Sequence, residues 1–234
     1  MKARNLGWID RTARLPSWES PVSGYPKTAL GVASVGKRRM SKDSTFFAEG
    51  VKGLLFYQFT QPARLTELRI KGKTWMTDSP EYVWSLESFA KRSKGNVLVA
   101  GLGLGIVVHQ LTNNPAVKRI TVIECEADVI CMVRPLLPED KRIHIIHDHF
   151  AHHIETTTEK YDTVIWDLAV RSGNTQINVG DLLVAEILCH VHLGDVQVFR
   201  HGLDRDPKGE RFAKTREFRR VKESFKQDRR TQWT

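Results

Sequence analysis

Cysteine is scarce in this chain: three in 234 residues, at positions 125, 131 and 189, with no C-x-x-C pair among them. An odd count at such spacing excludes a disulfide framework and is expected of free thiols in a reducing cytoplasm. Long hydrophobic runs are lacking too. The longest, from Val97 to Val108, is broken by three glycines and falls far short of the ~20 apolar residues that cross a bilayer. Met1-Lys2-Ala3-Arg4 is basic but no apolar segment follows it. Neither a secretory leader nor a membrane partner is therefore expected, and the expected location is cytoplasmic. No internal repeat is visible. A disordered composition is absent as well: 41% of the residues are hydrophobic, with six Trp and ten Phe, enough for a globular core.

Acids are outnumbered, 27 against 36 Lys and Arg, for a net charge of +9. The shortfall lies at the ends. Residues 1–40 carry net +6 and residues 205–234 carry net +6, while residues 41–204 carry net −3. The termini are candidates for contact with nucleic acid, although interleaved acids suit a solvated face equally well. The middle of the chain is not a polyanion binder by composition.

Four regions are expected. Residues 1–26, rich in Pro, Ser and Gly, read as an irregular basic arm. Residues 27–78 read as a small β-rich subdomain, with extended candidates at Thr28 to Ser34 and Gly53 to Thr60, then a hairpin turning at Lys71-Gly72. Residues 79–204 read as a Rossmann-like domain. Its first helix has Asp78 or Ser79 as cap, Pro80 in its first turn and an apolar face of Tyr82, Leu86, Phe89 and Ala90. Strands follow at Val97 to Ala100, Ile120 to Ile123, Ile143 to Ile146, Thr163 to Trp166 and Val196 to Phe199. Helices are expected at Ile106 to Asn113, Ala127 to Leu136 and Asp181 to Val191. Continuous apolar strands alternating with helices predict an α/β fold, a doubly wound, mostly parallel sheet. Residues 205–234 read as a basic helical tail with a narrow stripe of Phe218, Val221 and Phe225, covering the sheet edge or a partner subunit in a homodimer.

The chemistry concentrates at strand ends. Gly101-Leu102-Gly103-Leu104-Gly105 joins the first strand to a helix, where glycines permit a tight turn and close approach of a ligand to bare backbone. Glu124 closes the second strand, placed to accept hydrogen bonds from both ribose hydroxyls of an adenosine. Asp148 follows the third strand and Asp167 ends the fourth. Ligands of open α/β sheets bind at that carboxyl edge. A dinucleotide fingerprint wants its third Gly or Ala where Ile106 stands, so NAD is disfavoured.

The stretches VLVAGLGLGIV, ITVIECEADVI, IHIIHDHF and YDTVIWD resemble the successive motifs of class I S-adenosylmethionine-dependent methyltransferases, and within that superfamily those of spermidine synthases. LRIKGKTWMTDSPEYVW is similar to the hairpin and helix that precede their glycine loop. The resemblance covers about residues 65 to 170. It implies that Gly101, Leu102, Gly103 and Gly105 run along the amino-acid part and sugar of S-adenosylmethionine, or of its decarboxylated form. It also implies that Glu124 holds the ribose, Cys125 packs on adenine, and Asp148 accepts from the adenine amino group beside the His149 backbone. Asp167 would line the reacting end as the catalytic base. Leu104 stands where spermidine synthases place an acid, Trp75 where they have Gln, and Trp84-Ser85 where they have Tyr-His. Since a dicationic amine needs carboxylates at both ends, the expected function is methyl transfer to a small acceptor. Aminopropyl transfer is the alternative, and a non-catalytic binder keeping the fold comes third. The histidine-rich run His144, His147, His149, His152 and His153 lacks a familiar ligand spacing, and no metal is expected.

Overall fold

The computed structural model describes residues 12–50, 53–167, 193 and 196–200. The expected helix from Asp181 to Val191, the whole basic tail 205–234 and residues 1–11 of the basic arm lie outside them.

The centre is a five-stranded, all-parallel sheet of β8 (Gly95–Ala100), β9 (Val117–Glu124), β10 (Ile143–His147), β11 (Thr163–Trp166) and β12 (Gln197–Arg200), in the spatial order β10-β9-β8-β11-β12. All four pairings are parallel. This is the mostly parallel, Rossmann-like α/β arrangement that the apolar strand runs predict. Val97, Leu98, Val99 and Ala100 have no exposed surface, as expected of a strand covered on both faces. The chain winds outward from β8 through β9 to β10, then returns to place β11 on the other side of β8. That reversal opens a crevice at the carboxyl ends of β8 and β11.

Helices α1 (Pro80–Arg92), α2 (Ile106–Thr112), α3 (Ala127–Val133) and α4 (Phe150–Thr156) precede or connect these strands. Ser79 is the N-cap of α1, but its hydroxyl donates to the Glu81 carboxylate (2.6 Å) and caps nothing. Asp78 does not cap either: it turns inward and accepts from Ser20 Oγ and from Thr66 N (2.6 Å). The helix expected to reach Leu136 ends at Val133 and tightens into a 3-10 turn at Arg134–Leu136, because Pro135 has no N–H to continue the ladder.

Two sheets precede the parallel one. The first is antiparallel, in the order β2 (Thr28–Leu30), β3 (Ala33–Met40), β6 (Ala63–Ile70) and β7 (Lys73–Thr77). The second joins β1 (Thr12–Leu15), β5 (Gly53–Phe59) and β4 (Thr45–Gly50). The Thr28 to Ser34 candidate is thus two strands around a turn, with Gly31 at φ +52°. A strand also occupies part of the arm expected to be irregular. Val35, Leu68, Ile70 and Met76 share one core with α1, α2 and β8, so the antiparallel sheet packs directly on the Rossmann-like unit. Among the described residues no helix is long and apolar enough to cross a membrane.

Candidate functional site

The site sits on the carboxyl edge of the parallel sheet. After β8, Gly101, Gly103 and Gly105 take φ of +90°, +51° and +74°, values that other L-residues adopt only at a cost. Gly103 has a second constraint: a Cβ there would run into Met76 Sδ. The same sulfur accepts a hydrogen bond from Leu104 N (3.3 Å). The hairpin strand β7 therefore clamps the glycine loop from outside. Trp75, the residue before Met76, is an extra residue in β7: Arg69 pairs with Thr74 and Leu68 with Met76. The bulge leaves its indole 38% exposed.

Glu124 closes β9 and is nearly buried. Its Oε2 accepts from Leu102 N (2.9 Å) and its Oε1 from Glu126 N (2.9 Å). Each carboxylate oxygen has two lone pairs, and the further neighbour, the Cys125 thiol, is a weak donor that a ribose hydroxyl can displace. The side chain is thus locked in place by the loop it supports and still offers two adjacent acceptors, the pattern a ribose diol needs. The group fits this position.

Asp167 follows β11 at the crevice. Its backbone N–H bonds Ala100 O (3.0 Å), and its carboxylate accepts from the Tyr82 hydroxyl. The carboxyl is pushed up to about 7, first by burial and also by the nearby Glu124 charge, while the Tyr82 hydrogen bond pulls the other way. The Tyr82 phenol is driven well above its ordinary range by burial and by the Asp167 charge. Its ring is part-exposed, while the hydroxyl end is enclosed against Asp167. Tyr82 is a site residue that the sequence reading assigned to the apolar face of α1. Its position fits both descriptions, since a tyrosine buries its ring and spends its hydroxyl elsewhere.

Asp148 lies farther out along the edge. Its carboxylate accepts from His149 N (2.7 Å) and meets His152 Nδ1 at 2.9 and 3.0 Å. The His152 contact holds it below the usual carboxylate range. His149 and Cys125 are both exposed. The Cys125 thiol is raised by partial burial of its sulfur, then by the charges of Glu124 and Glu126, so it is not poised as a nucleophile. The edge thus carries Gly101, Leu102, Gly103, Gly105, Glu124 and Asp167 as one connected group, with Cys125, Asp148 and His149 at its rim. No group of His, Cys, Asp or Glu arranged to hold a metal ion occurs among the described residues. Leu104 is fully buried in the core, and Trp84 meets Trp18 edge to face and Tyr57 at a tilt.

Residues 79–177 match the spermine/spermidine synthase domain. The polyamine aminopropyltransferase of Pseudomonas syringae pv. tomato is 24% identical over 161 residues, 62% of this chain and 54% of that protein. The polyamine aminopropyltransferase of Bacillus mycoides is 30% identical over 112 residues, 43% of this chain and 40% of that one. Among solved structures, a probable spermidine synthase from Corynebacterium glutamicum superposes with a TM-score of 0.45 at 14% identity. It covers 73% of this chain and 60% of the other. The spermidine synthase of Thermotoga maritima gives a TM-score of 0.42 at 16% identity, covering 64% and 60%. The chain spans about half, or less, of the length of the curated relatives it matches.

These relatives overturn the expected methyl transfer to a small acceptor. The matched domain and the similar curated proteins are aminopropyltransferases, which the motif reading held as the alternative. The reason is chemical. Both reactions displace the same sulfonium, so the glycine loop and strand-end acids are common to both and cannot rank them. What counted against aminopropyl transfer was Leu104 in the place of an acid, Trp75 in the place of Gln and Trp84-Ser85 in the place of Tyr-His. Two of these are spoken for structurally: Leu104 is core and Trp84 belongs to an aromatic cluster. The similarity is to transferases, over about half of their length.

Proposed function

We propose that this chain binds decarboxylated S-adenosylmethionine at the carboxyl edge and transfers its aminopropyl group to an amine. The observation that carries this reading is the Tyr82–Asp167 pair, a buried carboxyl with its pKa raised to about 7, at the crevice beside the glycine loop. An attacking amine must first lose a proton, and a base poised near neutrality takes it with least loss at either protonation state. The amine nitrogen then bonds to the methylene carbon attached to sulfur. The carbon–sulfur bond breaks, its electron pair neutralises the sulfonium, and methylthioadenosine leaves. Glu124, through its two carboxylate oxygens, holds the ribose, and the loop from Gly101 to Gly105 lies along the sugar. Cys125, Asp148 and His149 flank the adenine. The protein's share of the work is alignment and proton removal.

The test is direct. Purified chain is incubated with decarboxylated S-adenosylmethionine and, in turn, 1,3-diaminopropane, putrescine and spermidine, and methylthioadenosine is followed by liquid chromatography. Release with at least one amine, its loss in Asp167→Asn, and no methylated product from S-adenosylmethionine are expected. No release with any amine, together with no thermal shift from the decarboxylated nucleoside, overturns the proposal.

A further inference from the structure

A second cleft lies on the other side of α1 from Asp167. Tyr82 leaves the helix toward the site, whereas Val83, Trp84, Glu87 and Lys91, spaced along a different face, border a groove of about 530 Å³. The opposite wall is Trp18 and Glu19, and the floor is the end of α2 with Gln110. Trp18 and Trp84 meet edge to face, with centroids 5.5 Å apart. The Trp18 indole is pinned by its Nε1 donating to Asp78 O (2.8 Å), so the aromatic wall is fixed in place.

The polar atoms of this groove are sorted by type. Gln110 Nε2 donates to Val83 O (3.0 Å), Asn113 Nδ2 to His109 O (3.1 Å), and Asn114 Nδ2 to Ala90 O and Ser93 O (2.7 and 2.9 Å). The amide donors are therefore spent on backbone carbonyls, and those bonds fix the amide orientations. Gln110 Oε1 is enclosed at the wall with no donor against it among the described residues. With Glu19 and Glu87 the lining offers carboxylates and indole rings, and one cation. That cation, Lys91, already shows the preferred occupant: its Nζ sits 2.6 Å from Glu87 Oε1. The lysine side chain is 72% exposed, so this is a weak surface pair that a ligand ammonium can replace.

We propose that this groove is a second ligand site, selective for free linear alkylammonium compounds of the polyamine class, whose methylenes lie along the indoles while ammonium groups meet Glu87 and Glu19. An ammonium within about 6 Å of an indole face gains cation–π attraction and a charge-assisted bond to a carboxylate; a neutral alcohol can donate only a weaker hydrogen bond there, and the two glutamates outnumber the one lysine that would attract an anion. The site is separate from the transferase crevice and stands whether or not that crevice is catalytic.

Calorimetric titration of the full chain with spermidine, n-butylamine and 1-butanol, without nucleoside, tests it. Spermidine is expected to bind more tightly than butylamine, and butanol not at all. Glu19→Gln with Glu87→Gln, both at exposed or half-exposed positions that keep the fold, should weaken spermidine at least tenfold. Lys91→Ala should strengthen it several-fold by freeing Glu87, an effect that a purely structural lysine would not give. Trp84→Leu, its fold checked by circular dichroism, should weaken spermidine binding and diminish the accompanying change in tryptophan fluorescence, Trp18 supplying the remainder. Asp167→Asn should leave the groove titration intact. Spermidine binding that survives the double Glu variant, or that is lost only with Asp167→Asn, assigns the amine to the transferase crevice and overturns the groove. So does butanol binding as well as butylamine.

Discussion

Asp167→Asn separates what the buried carboxyl costs the fold from what it does in the reaction. The aspartate is 7% exposed and its pKa stands at about 7 against an ordinary value near 3.8. The folded protein therefore binds a proton more tightly than the unfolded chain. The stability this confers is full below about pH 4 and is lost as pH rises to about 7; above that it changes no further. At roughly 1.4 kcal/mol per unit, the full swing is on the order of 4 kcal/mol, of which about 3 kcal/mol falls between pH 5 and pH 8. Asparagine keeps an acceptor for the Tyr82 hydroxyl and has no proton to release. Urea unfolding of wild type and Asp167→Asn at pH 5, 6, 7 and 8 should show the variant gaining on wild type by about that amount over the series. Other titrating groups cancel in the difference. Activity should move the opposite way, absent in the variant at every pH and rising in wild type through about pH 7. A stability difference that stays flat from pH 5 to pH 8 would falsify the burial of an ionisable Asp167, and with it the assignment of the base.

Three further outcomes follow from the same geometry. Tyr82→Phe removes the donor that lowers the Asp167 pKa, so the midpoint of the pH–rate profile should move to higher pH while the helix is retained; an unmoved midpoint places the tyrosine outside the proton-transfer pair. Glu124→Ala takes the acceptors from Leu102 N and Glu126 N and from the ribose, so calorimetry with decarboxylated S-adenosylmethionine should register at least a tenfold weakening, and intact affinity would remove Glu124 from the site. Gly103→Ala should cost about 1–2 kcal/mol for the positive φ, plus the displacement of Met76; a thermal melt should show partial recovery in the double variant with Met76→Ala, and no recovery would mean that Met76 does not clamp the loop.

The parallel sheet was legible because its strands are bare of polar residues and its turns are punctuated by glycine and acid. Glu124, Asp148 and Asp167 stood out by position at strand ends, and the structure joins Glu124 to the glycine loop by hydrogen bonds. The N-terminal sheets were legible only in part. Strand β3 ends in Lys37-Arg38-Arg39-Met40, whose basic residues hide the alternation of Ala33 and Val35, and β4 is too short to show a period. Tyr82 was legible as core and illegible as site: helical spacing reports which way a ring faces, whereas its partner lies at the end of a strand eighty-five positions later. The reaction was not legible either, because the same strand-end acids serve either displacement at the sulfonium.

The switch point between β8 and β11 also bears on how the chain folds. The β8–α2–β9 and β9–α3–β10 units join neighbours in sequence and can form from local contacts. Strand β11 must find β8 across both units, pairing Val97 with Thr163, and such distant closures are slow because loop entropy is lost before contacts compensate. The crevice holding Asp167 is therefore expected to be completed late, on a platform where the glycine loop and Glu124 are already set. Substitutions at Asp167 or Tyr82 should then alter the unfolding rate far more than the folding rate, and a ligand bound across β8 and β11 should act chiefly as a brake on unfolding.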